Sequence, residues 1–324
     1  MKIQAVLFTF WDFCDIIKSI RKLIDKLELE EEFYMNTIWS TYVQSIGTLY
    51  DSRVLRFSDM FKNKYTNAFN IDDKSKLLEI GCGPGALAES LARWYPCVQI
   101  HGIDRDSNFI EFARKTAPHI EFSEGDATEL PFKSNTFDVT ISNTVAEHIE
   151  PAKFYGEQYR VLKENGVCIV LSARKGINIS AQCIREESNL EKEIWKRVDK
   201  YFKEINEKYA VCAYPQSEME MPLCMEQYGF RDVTVDYITI NLTPDNPIYP
   251  KEMAYAMINA NRKCAVDNVE SLRQISNGIV SDSEIEELKH IVNSKYDKRI
   301  ELYNKGIKQW DTNLSVTMIM RGVK

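Results

Sequence analysis

The sequence predicts an α/β fold in which helices cover a parallel sheet. Between residues 76 and 171, short apolar runs alternate with segments of helical periodicity. A glycine-rich turn follows the first apolar run, and acidic residues follow at the ends of the next two. In parallel sheets ligands bind at the carboxyl ends of the strands, so these turns mark the expected ligand site.

The first strand is expected over 77–80, followed by the turn Gly81-Cys82-Gly83-Pro84-Gly85 and a helix over 86–95. Glycines let the chain turn sharply and let a ligand lie against the main chain. The spacing of Gly81, Gly83 and Ala86 also fits a dinucleotide-binding turn.

Three features of this region favour a different ligand. Pro84 removes a backbone N–H where a pyrophosphate needs donors, and Glu79 places a carboxylate where a pyrophosphate would be repelled. Asp104 and Asp126 add two more carboxylates at the ends of the next two strands. Such a pocket suits a ligand with hydroxyls, an amine and net positive charge, and S-adenosylmethionine is such a ligand.

The elements downstream follow in the expected order. A strand over 98–104 ends at Asp104, about 20 residues past the glycines, where a carboxylate can hold a ribose diol. A helix is expected over 107–116, with Ser107 as its N-cap. Further strands are expected over 120–122, 137–143 and 166–171, with a helix over 151–162 before the last of them.

Residues 76–174 resemble the class I S-adenosylmethionine-dependent methyltransferases that act on small molecules. The resemblance rests on Leu78 to Gly85 (LEIGCGPG), Gly102-Ile103-Asp104, and the segments 125–132 (GDATELPF), 137–143 (FDVTISN) and 147–149 (EHI). It implies a Rossmann-like, seven-stranded, mostly parallel sheet with an antiparallel last strand and helices on both faces.

The resemblance also implies cofactor-binding roles. The methionine part would lie on Gly81, Gly83 and Gly85, with Cys82 as a small packing residue within the turn. Glu79 would orient the turn, and Asp104 would bind the ribose hydroxyls. Asp126 would accept a hydrogen bond from the adenine amine, with the Ala127 backbone beside it. Asn143 would lie near the sulfonium. Arg105 would stack on the adenine or reach solvent.

The predicted core covers residues 76–242 and 313–324, with strands over 230–242 and 313–323 as the sixth and seventh. Residues 1–75 are expected to form an N-terminal helical cap, with an amphipathic helix over 16–27 and two aromatic-rich helices over 33–69. In the family such helices cover the cofactor, and Tyr50 or Arg53 would reach its methionine carboxylate. The alternative for Arg53 is a pair with a surface acid.

Two helical insertions, 175–216 and 243–312, are expected to form a substrate lid. They contain a helix over 189–209, a helix beginning near Met253, and a long amphipathic helix from a capping box at Ser281 to Trp310. A further helix over 219–228 would precede the sixth strand. The lid would enclose an aromatic-rich pocket, or its rings would only fill the lid's own core. The insertions are also a candidate surface for a homodimer.

The reaction needs little from the protein, because the sulfonium already activates the methyl group. Catalysis then consists of aligning a nucleophile and excluding water. His148, just past the fourth strand, is the candidate general base. The alternative is that the Glu147-His148-Ile149 segment holds the loop and the next helix together.

The predicted function is therefore methyl transfer from S-adenosylmethionine to an oxygen or nitrogen of a small, partly apolar acceptor. The alternatives are a non-catalytic cofactor-binding or scaffolding protein and an NAD-dependent oxidoreductase. A net charge of −7 without a basic stripe argues against nucleic acid as a partner. The eight cysteines show no metal-binding spacing, so no metal is expected. A secretory segment is not apparent, which predicts a cytoplasmic location, and no run of 18 uninterrupted apolar residues predicts a stable membrane insertion.

Overall fold

The computed structural model describes residues 39–324. The predicted amphipathic helix over 16–27 and the start of the aromatic-rich segment lie outside these residues. Seven strands form one sheet: β1 Lys76–Ile80, β2 Gln99–Asp104, β3 Glu121–Glu124, β4 Phe137–Asn143, β5 Leu162–Ile179, β6 Arg231–Leu242 and β7 Thr312–Val323.

The strand order is β3-β2-β1-β4-β5-β7-β6. The strands β1 to β5 pair in parallel, and β7 runs antiparallel between β5 and β6. The predicted mostly parallel sheet with an antiparallel last strand is confirmed.

The central strand β1 is buried on both faces, which is why its sequence is apolar without alternation. Leu77 packs into the core on one side of the sheet, and Leu78 and Ile80 pack into the core on the other. A strand that packs into a core on each side must lie in the interior of the sheet, as β1 does.

Helices cover both sides of the sheet. Three precede it and three connect its parallel strands: α1 Trp39–Tyr42, α2 Ile46–Arg56, α3 Lys62–Phe69, α4 Ala86–Trp94, α5 Ser107–Thr116 and α6 Pro151–Val161. The segment before the sheet is thus divided more finely than predicted, with a 3-10 turn at Asp59–Phe61 before α3.

The N-cap predicted at Ser107 is wrong by one residue. Asp106 caps α5, and its carboxylate accepts hydrogen bonds from the backbone N–H groups of Asn108 and Phe109 at 3.0 and 3.2 Å. The carboxylate reaches two donors, which favours it over the neighbouring hydroxyl at a helix start.

Strand β5 is longer than the predicted 166–171. It continues through Arg174 to Ile179 because β7 offers a partner along this whole length, with an irregularity between Arg174 and Ile177. Gly176 lies where a Cβ would collide with the backbone of Leu314. Residues 175–179, expected to begin a helical insertion, therefore belong to a strand that projects beyond the rest of the sheet.

The remaining helices are α7 Gln182–Arg185, α8 Asn189–Lys208, α9 Glu220–Gln227, α10 Lys251–Ile275 and α11 Asp282–Asn304. Helices α8, α10 and α11 share an apolar core of their own: Ile194, Val198, Val269, Leu272, Val280, Ile285 and Leu288. The capping box predicted at Ser281 is confirmed. Among residues 39–324, no helix is both long enough and apolar enough to span a bilayer.

The end predicted for the last long helix is wrong. α11 stops at Asn304, because Gly306 adopts a φ of +70° that ends the helical path. Ile307 and Trp310 therefore lie outside the helix and are half exposed.

A buried ion-pair network joins α11 to the sheet. Arg299 is fully buried and donates to Asp311, which precedes β7, and to Asp245, which follows β6. Asp245 also accepts the backbone N–H groups of Gln309 and Trp310 at 2.7 and 2.9 Å. The network fixes the connection between the inserted helices and the two antiparallel strands.

We expect Arg299→Met to destabilise the protein by about 3–5 kcal/mol, because two buried carboxylates lose the buried cation that they share. Urea unfolding of the two proteins measures the difference. Lys298→Met is the matched control, since the neighbouring Lys298 pairs with Glu301 on the exposed side of α11. A loss in Arg299→Met no larger than in Lys298→Met would show that the network contributes little.

Candidate functional site

The glycine turn between β1 and α4 has the backbone that its sequence predicts. Gly81, Gly83 and Gly85 have φ values of +67°, +52° and +88°, a region that side chains rarely allow. The N–H groups of Gly81 and Cys82 both donate to the carbonyl of Ile103, at 2.8 and 3.0 Å. A Cβ on Gly81 would collide with Val145, so the turn and the loop after β4 lie in close contact.

Asp104, the last residue of β2, holds this turn from the other side. One carboxylate oxygen accepts the N–H of Gly83 at 2.8 Å, and the other accepts the N–H of Asp106 at 2.9 Å. Burial raises the pKa of the Asp104 carboxyl, and the two N–H groups oppose that shift. Each oxygen keeps a lone pair that a hydroxyl group could use.

Glu79 lies inside β1 and is 2% exposed. Burial, and then the charge of Asp104, raises the pKa of its carboxyl well above the usual range. Its Oε2 atom has no hydrogen-bond partner among residues 39–324. A buried acceptor without a hydrogen-bond donor is energetically unfavourable, and such groups concentrate at binding sites.

The other predicted contacts lie at the ends of β3 and β4. Asp126 is exposed, and its Oδ1 accepts the N–H of Thr128 at 2.7 Å, which shapes the turn that carries Ala127. Asn143 ends β4, and Thr144 follows it with a φ of +55°. The Thr144 hydroxyl accepts a hydrogen bond from Arg53 Nη2 at 2.9 Å, which joins α2 to the end of β4.

A cavity of about 2640 Å³ connects these elements with the inserted helices. One end is lined by predicted site residues: Arg53, Glu79, Gly81, Cys82, Gly83, Asp104, Asp126, Ala127, Asn143 and His148. The other end is lined by the projecting part of β5 and by α8, α10 and α11. Pockets for a single small ligand measure roughly 300–1,000 Å³, so this cavity has room for two.

Two predicted site residues do not line the cavity. The Tyr50 hydroxyl donates to Glu89 on α4 at 2.9 Å, which directs the ring away from the glycine turn. Gly85 backs onto Ala113 and Phe122, each 3.1 Å from where its Cβ would be. Its role in the structure is therefore the close packing of the turn against α5 and β3.

His148 lies in a 3-10 turn after β4 and lines the cavity. Its Nδ1 accepts the N–H of Cys212 at 2.9 Å, and Trp39 packs edge-to-face on its ring at 4.9 Å between centroids. Burial, and to a smaller extent the charge of Arg105, lowers the pKa of His148 to about 3. A neutral ring that accepts a main-chain hydrogen bond favours the loop-holding alternative over a general base.

Sequence reasoning missed several charged residues of the cavity wall, among them Arg56, which lies beside a predicted site residue. Arg56 lines the cavity three residues after Arg53 on α2, the spacing that puts two side chains on the same helix face. Asn313 at the start of β7 lies beside it, and this contact depends on the long antiparallel pairing. Among the residues that the structure describes, no group of His, Cys, Asp or Glu side chains could hold a metal ion.

Comparison with known proteins agrees with this geometry. Residues 78–170 match the family described as "Methyltransferase domain". The chain is 35% identical over 108 residues to a fatty-acid O-methyltransferase of Mycolicibacterium smegmatis, covering 32% of this chain and 39% of the relative. It is 30% identical over 139 residues to norajmaline N-methyltransferase of Rauvolfia serpentina, covering 39% and 46%.

A solved structure, phosphoethanolamine N-methyltransferase 2 of Haemonchus contortus with S-adenosyl-L-methionine, aligns with 96% of this chain and 74% of its own. The identity is 16% and the TM-score 0.44. The chain spans less than half the length of the two curated relatives.

Residues 78–170 are thus a methyltransferase domain. The predicted resemblance to the class I S-adenosylmethionine-dependent methyltransferases is confirmed.

We expect His148→Asn to remove part of the pH dependence of stability. The folded-state pKa is near 3 and the usual value is 6.5, so between these values the unfolded chain binds a proton that the folded protein excludes. This contribution to stability is complete above pH 6.5 and is lost as the pH falls toward 3. The slope that disappears should be about 1.4 kcal/mol per pH unit.

Urea unfolding at pH 7, 6 and 5 measures the difference between the two proteins. Asparagine keeps an acceptor for the Cys212 N–H, and His119→Gln, at an exposed imidazole, is the control. An unchanged slope in His148→Asn would contradict the neutral buried ring.

Proposed function

We propose that the chain transfers the methyl group of S-adenosylmethionine to an oxygen or nitrogen of a small, partly apolar acceptor. The observation that carries the proposal is one continuous cavity. It holds the glycine turn and its acidic residues at one end and the inserted helices at the other. Two ligands can therefore meet inside it.

The cofactor end of the cavity suits the proposed cofactor by its chemistry. Asp104 is fixed by two N–H groups and keeps acceptor capacity for ribose hydroxyls. Leu49 of α2 lies above Gly83, 3.3 Å from where a Cβ would be, so α2 covers the turn. In this proposal Arg53 binds the methionine carboxylate, and Asp126, Ala127 and Asn143 keep the roles that the resemblance implies.

The cofactor supplies an activated methyl group, and the chain has to align the acceptor and exclude water. The inserted helices serve the second task in this proposal, since α8, α10 and α11 form the far wall of the cavity. His148 holds the loop after β4 against the segment that follows α8. No protein base is then needed for an acceptor whose nucleophile is already deprotonated.

Two of the curated relatives support an oxygen or nitrogen acceptor, since one is named as an O-methyltransferase and the other as an N-methyltransferase. The division into an N-terminal cap, a core and a lid is part of the same proposal. A homodimer through the inserted helices and a cytoplasmic location stay predictions.

Calorimetric titration with S-adenosylmethionine, S-adenosylhomocysteine and NAD tests the cofactor assignment. Micromolar binding of the first two and none of NAD is the expected result, followed by turnover on small acceptors. Binding of NAD alone would favour the oxidoreductase alternative. Binding of S-adenosylmethionine with no turnover on any acceptor would favour a scaffolding protein.

Asp104→Ala should weaken S-adenosylhomocysteine binding by about 1–3 kcal/mol, because a charged hydrogen-bond partner of the ribose is lost. Calorimetry on both proteins gives the difference, and thermal unfolding checks that the variant is folded. Glu111→Ala, on the exposed face of α5, is the control and should bind as the wild type does. Equal affinities for all three proteins would show that the ribose is held elsewhere.

A further inference from the structure

Two arginines in the wall of the cavity have only neutral hydrogen-bond partners. Arg53 donates to the Thr144 hydroxyl, while Arg56 donates to the Ser52 carbonyl at 2.9 Å and to Asn313 Oδ1 at 3.0 Å. Among residues 39–324, no carboxylate forms an ion pair with either of them. Both guanidinium groups face the same cavity.

The surroundings make these two charges costly. Burial, and then the charge of Arg56, lowers the pKa of Arg53 to about 10, while Glu79 and Glu147 oppose the shift. Burial also lowers the pKa of Arg56, whose other electrostatic neighbours are Tyr65 and Cys264, both neutral at pH 7. Arg56 is partly buried, and no carboxylate among residues 39–324 pairs with it, so an anionic ligand would be favourable beside this guanidinium.

Three acidic residues elsewhere in the cavity wall have partners of their own and do not pair with Arg56. Asp267 accepts from the Ser45 and Thr48 hydroxyls and pairs with Lys263. Glu191 pairs with Lys295 at 2.6 Å, and Asp311 pairs with the buried Arg299. The cationic site around Arg56 thus stays open to a ligand.

Apolar side chains form part of the wall around and beyond Arg56. They include Leu242 and Leu314 on the antiparallel strands, Met257 on α10, and Trp195 and Phe202 on α8. The projecting part of β5 adds Ile177 and Ile179, which are 52% and 41% exposed. An anionic group held at Arg56 would therefore belong to a molecule with an apolar body.

We propose that Arg56 and Asn313 bind an oxyanion, a carboxylate or a phosphate, on an otherwise apolar methyl acceptor. The inference rests on the proposed function, because it requires the cofactor to occupy the glycine-turn end of the same cavity. The cofactor carries one carboxylate, and Arg53 lies nearer to the ends of β1 and β4 that bind it. The second arginine then needs an anion from the second ligand. Arg56 is a positioning residue in this scheme.

The test uses the protein saturated with S-adenosylhomocysteine, so that the cofactor's carboxylate is already in place. Decanoate, decyl phosphate and decanol are titrated in turn, and the quenching of tryptophan fluorescence follows binding. The same titrations are made with Arg56→Gln, Arg56→Lys and Asn313→Ala. Arg93→Gln is the control, because Arg93 lies on α4 outside the cavity and pairs with Asp59.

We expect one or both anions to bind the wild type at least tenfold more tightly than decanol. Which of the two binds more tightly identifies the oxyanion. Arg56→Gln should abolish this preference for anions over decanol. Asn313→Ala should reduce it, and Arg56→Lys should keep part of it. S-adenosylhomocysteine affinity should be unchanged in all three variants.

An equal affinity of the wild type for decanol and both anions would overturn the inference. A second combination would also overturn the inference: Arg56→Gln loses S-adenosylhomocysteine binding, and Asn313→Ala keeps the preference for anions over decanol. Arg56 would then bind the cofactor and not the acceptor. A wild type that binds no S-adenosylhomocysteine at all would instead contradict the proposed function, so the two failures are distinguishable.

Discussion

The main-chain hydrogen bonds between the glycine turn and the end of β2 are the constraint on which the site depends. The Ile103 carbonyl accepts two N–H groups of the turn, and Asp104 accepts a third from Gly83. These bonds hold the turns that follow β1 and β2 in one arrangement. The cavity's acidic end, the start of α4 and the cap of α5 all follow from it.

The inserted helices depend on a second set of interactions, which are ionic and buried. Arg299 joins α11 to the segments that follow β6 and precede β7. On the other side, Asp267 of α10 accepts from Ser45 and Thr48 at the start of α2. The inserted helices are therefore tied to the segments beside β6 and β7 at one end and to α2 at the other, which keeps the two halves of the cavity continuous.

Much of the sheet and of its cofactor end could be predicted from the sequence, because the information is local there. Gly81 and Gly83 stand where the backbone needs a positive φ, and Asp104 follows an apolar run that can only be a buried strand. The elements that sequence reasoning misjudged depend on distant partners. The extension of β5 needs β7 beside it, and Tyr50 was assigned a ligand because its neighbour Glu89 on α4 was not foreseen.

The sequence by itself determined the α/β class, the alternation of strands and helices between residues 76 and 171, and the acidic character of the site. Hydrophobic periodicity and turn-forming residues depend only on neighbours a few positions apart, so they can be read directly from the sequence. Only the tertiary structure decided that His148 is a neutral ring that accepts a main-chain N–H. It also decided that Arg56 faces a cavity in which no carboxylate of residues 39–324 pairs with it. A pKa and a missing counter-charge are set by burial and by residues far apart in sequence, so no local pattern encodes them.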